Sequence, residues 1–145
     1  MKGDIIPDND HIARLCLHSK IDNGQIQATA FMLRSTEDFL SVNWLESLKC
    51  SNRESELAQI REIYSKTFTV KPRAKIAVLN VGKVRKKVLT DSLDSRNLKV
   101  LHEPLDDDPS HSGIYNLKPD NEVIAELILE TIQDTDIYPA LNKFK

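Results

Sequence analysis

TFTVKPRAKIAVLNVGKVRKKVL, residues 67–89, is the stretch on which the fold class turns. It is dense in β-branched residues, which suit a pleated, half-buried surface. Pro72 and Gly82-Lys83 punctuate it. Read by those signals, it predicts three successive strands at 67–71, 75–81 and 84–89. Strands that follow one another without a helix between each pair argue against a doubly wound parallel sheet and for an α+β fold.

The rest of the chain extends this pattern. HIARLCLH (11–18) carries no turn residue and predicts a strand, with Arg14, Cys16 and His18 on one face and His11, Ala13 and Leu15 on the other. Asn23-Gly24 follows, a dipeptide that tolerates positive φ and predicts a turn, leading to a second strand at 26–33. SVNWLESLK (41–49) reads as a strand end running into a short helix. Ser51 and Glu54 have capping-box spacing. With Leu57, Ile60, Ile63 and Tyr64 at helical intervals, they predict a helix over about residues 52–65. A short strand is expected at 98–101, and the Pro- and Gly-containing segment 103–119 is expected to be mostly loop. Asp120 is the expected cap of a last helix that buries Val123, Ile124, Leu127, Ile128 and Ile132. The expectation is one α+β domain over 1–145, with a mixed or mainly antiparallel sheet of six or seven strands and two or three packed helices.

At 145 residues and 40% hydrophobic, the chain suits one folding unit. No apolar run reaches the roughly 18–20 residues of a membrane span, and the N-terminus lacks the apolar core of a secretion signal. Two cysteines without CxxC spacing predict free thiols. A soluble, cytoplasmic protein is therefore expected.

Charge is unevenly spread. Residues 71–99 hold nine basic and two acidic side chains, whereas 100–145 hold three basic and ten acidic. The basic block from Lys71 to Lys87, with Lys83, Arg85, Lys86 and Lys87 at its end, suggests docking of a protein or of a nucleic-acid phosphate backbone. Self-association or assembly with another chain is compatible with so polarised a surface. The competing reading is internal. Glu122, Glu126 and Glu130 lie four apart on the last helix with no cation beside them, and the basic block could face them.

Three segments could carry chemistry. In DDDPSHSGI (106–114), His111 stands among hydroxyls and carboxylates between Pro109 and Gly113, with Ser110 beside it. Histidine is the side chain whose ordinary pKa suits proton transfer near neutrality. In the first strand, His11 could partner His111 as acid and base, while Arg14 offers a two-pronged clamp for an anion. In the third segment Trp44 is the expected core anchor, and Asn43 is either a helix cap or a site ligand. Neither Gly-rich phosphate-loop motif nor HExxH occurs, so no cofactor and no metal are expected. In layout, His11 to Glu46 resembles small ADP-ribosyltransferase-like or RNA 2′-phosphotransferase-like domains. In these, a His- or Arg-bearing strand precedes one carrying an aromatic or hydroxyl residue. No glutamate on a late strand matches theirs.

Two functions remain in view. One is an accessory domain that docks a partner through 71–87 and the acidic C-terminal third. The other is a small His-dependent enzyme acting on a nucleotide or RNA phosphate, with His111, His11 and Arg14 catalytic and Lys83 or Arg85 holding the anion.

Overall fold

The computed structural model describes residues 2–141. Its strands are β1 (His11–Cys16), β2 (Ile21–Asp22), β3 (Gln25–Ile26), β4 (Leu40–Trp44), β5 (Lys75–Asn80), β6 (Lys99–His102), β7 (His111–Tyr115) and β8 (Ile137–Pro139). Its helices are α1 (Arg53–Thr67), α2 (Val81–Asp91) and α3 (Glu122–Glu130). Six strands form one antiparallel sheet in the order β6-β7-β4-β1-β5-β8, and β2 and β3 form a separate hairpin. The fold is α+β.

Strand alternation gives the sheet two differently filled faces. On one face Ile12, Cys16, Leu40, Val42, Ala77, Leu79, Val100 and Ile114 pack with residues of α2 and α3. On the other, Ala13, Ile76 and Val78 pack beneath Leu57, Ile60 and Tyr64 of α1. The β4 and β7 residues that share this second face are Ser41, Asn43, His111 and Gly113, according to the register Ser41↔Gly113 and Asn43↔His111. The α1 core thus passes directly into a polar surface.

The structure differs from the sequence reading in several elements. Residues 84–89 are helical, not extended. Asn80 caps α2 by accepting from the Lys83 N–H at 2.9 Å, and Val81, Val84 and Val88 bury one side at helical spacing. Residues 67–71 form no strand: α1 runs on to Thr67, and a turn closed by Ala74 N–H on Lys71 O follows. The extended run expected at 26–33 shrinks to Gln25–Ile26 and a 3₁₀ turn, Ala28–Phe31, that drives Ala30 and Phe31 into the core. The Asn23-Gly24 turn forms as expected, with φ of 52° and 74°. Within the supposed loop, His111–Tyr115 is a central strand.

Asn52 and Asn121, not Ser51 and Asp120, cap α1 and α3 through the N–H groups of Ser55 and Ile124. Asp120 instead takes a left-handed turn conformation at φ 57°. Val123 points to solvent. Trp44 is half-buried at the edge of the core, packed against it while its indole N–H reaches the Asp10 carboxylate at 2.9 Å.

Candidate functional site

β1 and β4 pair at only two positions, Ile12↔Trp44 and Ala13↔Asn43. Beyond them the strands part, and the Arg14 guanidinium lies in the gap. Its Nη1 donates to the Ser41 carbonyl at 2.8 Å and its Nε to the Ala30 carbonyl at 3.0 Å. The first bond satisfies a carbonyl that the interrupted ladder would leave unpaired, and the second ties the 3₁₀ turn Ala28–Phe31 to β1. Burial pulls the Arg14 pKa below its ordinary value, yet a guanidinium remains a cation in a protein.

A cleft of about 360 Å³ opens beside this gap. Ser41, Asn43 and His111 form its floor on the sheet, and Arg14, rooted on the opposite, Ile12–Cys16 side of β1, borders it at the gap. Leu15, Ile63, Tyr64 and Phe68 line the α1 side, and Leu105, Asp107 and Asp108 the other. Arg34 and Glu37 also line it. The loop carrying the aspartates is a tight tip, closed by reciprocal backbone bonds of 3.1 Å between Leu105 and Asp108.

The floor is hydrogen-bonded throughout. Asn43 is buried and donates from Nδ2 to Asp108 Oδ1 and to Ser110 Oγ, both at 2.8 Å, while its Oδ1 accepts from the Tyr64 hydroxyl at 2.9 Å. Asn43 is therefore no helix cap. Desolvation raises the Tyr64 pKa, so that its phenol stays a donor.

His111 is held at both nitrogens. Nδ1 lies 2.9 Å from the Glu103 carbonyl and Nε2 lies 3.2 Å from Ser41 Oγ. A carbonyl oxygen can only accept, so Nδ1 carries the proton. In the neutral form of the ring, Nε2 is then the bare nitrogen facing the Ser41 hydroxyl. Phe39 meets the ring edge-on at 5.9 Å and lies against Gly113, where a Cβ would come within 2.3 Å of its ring. Gly113 lets the phenyl ring lie on the sheet and buttress the imidazole.

His11 is not in this cleft. Glu46 holds it, taking the backbone N–H at 2.8 Å and Nδ1 at 2.7 Å. The structure gathers Arg14, Asn43 and His111, with Ser110 behind them, and leaves His11 outside. Ser41 and Tyr64 are the members that the sequence reading missed. Ser41 was quotable only as part of a strand, and Tyr64 only as one position of an apolar stripe.

The basic block divides between internal pairing and exposure. Arg85 is engaged by Asp8 at 2.8 Å, the Leu98 carbonyl at 2.9 Å and Asn97 at 3.3 Å. Lys87 bridges Asp91 at 2.7 Å and Glu130 of α3 at 3.3 Å. Hydrogen bonding to these two carboxylates raises the Lys87 pKa. Lys83 and Lys86 are exposed and make no ion pair among the described residues. Together with Lys87, Thr90, Asp91 and Thr131 they edge a shallow depression.

Among the described residues, no group of three or more His, Cys, Asp or Glu side chains is placed to hold a metal ion, and no helix is long and apolar enough to cross a membrane. Comparison with protein-family models, with curated proteins and with solved structures finds no match to this chain.

Proposed function

We propose that the chain is a small enzyme that acts on a nucleotide or RNA phosphate in the cleft between α1 and the 105–108 loop, with His111 as its acid–base group. The observation that carries this reading is that Arg14 and His111 line one concave cleft, with the Nδ1 proton of the imidazole fixed by the Glu103 carbonyl. The α1 wall of Ile63, Tyr64 and Phe68 offers apolar and aromatic surface to a base or sugar. Arg14 and Arg34 are the cationic groups of a lining that also holds Glu37, Asp107 and Asp108, so a bound phosphate must sit against the guanidinium groups and away from the aspartates.

The test is an NMR titration with adenosine 5′-monophosphate. Shifts are expected at His111, Ser41 and Phe68. His111→Gln and Arg34→Ala should each weaken binding roughly tenfold, the size of one charge-assisted hydrogen bond. Shifts confined to other surfaces, or none, would overturn the reading.

Lys83 and Lys86 support a second reading, as a docking patch for a nucleic-acid backbone. If they grip phosphates, replacing both with Ala should lower the salt-dependence slope of binding to a fluorescein-labelled RNA 20-mer by about 2. An unchanged slope would remove this patch from consideration.

A further inference from the structure

We propose that Ser41 is the nucleophile of this site, attacking a phosphodiester to form a covalent phosphoseryl intermediate; this rests on the reading of the cleft as a His111-dependent phosphate site.

Several features elsewhere have local explanations. His11 is held by Glu46, Lys87 is bridged to Glu130, and Cys16 is sealed in the core. The Ser41–His111 pair differs from these because its geometry is directional. Nucleophilic catalysis by serine needs a hydroxyl within reach of a base whose other nitrogen is fixed by a third group. Ser41 Oγ, His111 Nε2, His111 Nδ1 and the Glu103 carbonyl form that chain, with separations of 3.2 Å and 2.9 Å. A backbone carbonyl orients the ring where a carboxylate often does. Both Ser41 and His111 line the cleft, so the hydroxyl is open to a bound molecule. The Arg14 guanidinium is anchored on Ser41's own carbonyl. Arg14 also lines the cleft, so its positive charge belongs to the same site as the Ser41 hydroxyl and would favour the non-bridging oxygens of a phosphate held there.

The reaction balances within these groups. Ser41 Oγ bonds to phosphorus as its proton passes to His111 Nε2. The P–O bond to the leaving alcohol breaks, and that oxygen takes the proton from Nε2. A water molecule, deprotonated by the same nitrogen, then attacks phosphorus and breaks the Oγ–P bond. Ser41 Oγ recovers the proton, and a phosphomonoester departs.

The experiment uses the full chain with bis(4-nitrophenyl) phosphate, an anionic diester with a chromophoric leaving group. The expected result is a burst of 4-nitrophenolate stoichiometric with protein. Intact-protein mass spectrometry should show a 4-nitrophenyl phosphate adduct on the Ser41 peptide. Ser41→Ala should lose both burst and adduct. Ser41→Cys should keep an adduct-forming nucleophile at the same place. If Ser41→Ala retains wild-type turnover while His111→Gln loses it, Ser41 only positions the ring. The nucleophile assignment is then overturned and the cleft reading survives. If the wild-type chain neither turns over the diester nor binds the nucleotide in the cleft, both fall together. Nucleotide binding without any adduct or turnover overturns the covalent step alone.

Discussion

Gly113 is the residue on which the His111 environment depends most sharply. A methyl group there would meet Phe39 Cδ1 at 2.3 Å and Cγ at 2.7 Å, so the ring must leave. Gly113→Ala should therefore cost about 1–3 kcal/mol, the range of an overpacked site. Urea denaturation would measure the loss. Adding Phe39→Leu should recover part of it, and if the two losses simply add, the clash is not the cause. Much of this neighbourhood could be named from sequence, because His111, Ser110, Arg14 and Asn43 are unusual residues in apolar or turn-rich surroundings. Their partners could not. Ser41 reaches His111 across 70 positions and Tyr64 reaches Asn43 across 21, through strand register and helix packing that no local pattern encodes.

At the scale of elements, α2 shows how composition can mislead. VGKVRKKVL is rich in valine, and three closely spaced valines read as a strand. The residues that decide otherwise are Asn80, which caps the first turn, and the 81-84-88 spacing that matches a buried stripe. All three helices begin on an asparagine whose side chain accepts an amide three residues on, at Asn52, Asn80 and Asn121. Asn80→Ala should cost about 1 kcal/mol of stability, and Asn80→Asp should retain most of it. A thermal melt of the two variants against wild type checks this, and equal melting temperatures for all three would refute the capping role. The strand expected at 26–33 failed for a different reason. Its apolar residues are buried as a 3₁₀ turn whose Ala30 carbonyl Arg14 requires. β7 was hidden because a strand that presents His, Ser and Gly along its length resembles a loop.

For the molecule as a whole, alkaline pH is the revealing variable. Burial pushes the Cys16 thiol from 9.0 up to about 12. Desolvation, aided by the hydrogen bond to Glu103, pushes the Tyr115 phenol from 10.0 up to about 12. The folded chain thus keeps protons that the unfolded chain releases, so this stabilisation is complete below about pH 9 and declines as pH rises toward 12. Equilibrium unfolding measured from pH 8 to 11.5 should show the decline, and Tyr115→Phe should flatten its upper part. The α+β class itself was legible, because the succession of strand-like runs without strict alternation survived the loss of individual runs.

The meeting of β1 with β4 has a mechanical consequence. Two residue pairs and one backbone bond from Leu45 to His11 are a thin weld between the halves β6-β7-β4 and β1-β5-β8. Arg14 is the rivet that reinforces it from the side, through Ser41. A guest molecule that competes for that guanidinium would slacken the weld, and one that adds to its contacts would tighten it. The Tyr64 hydroxyl, which reaches the Ala13 carbonyl of β1 and Asn43 Oδ1 of β4, lies in the same lining, so occupancy of the hollow bears on the seam through two side chains.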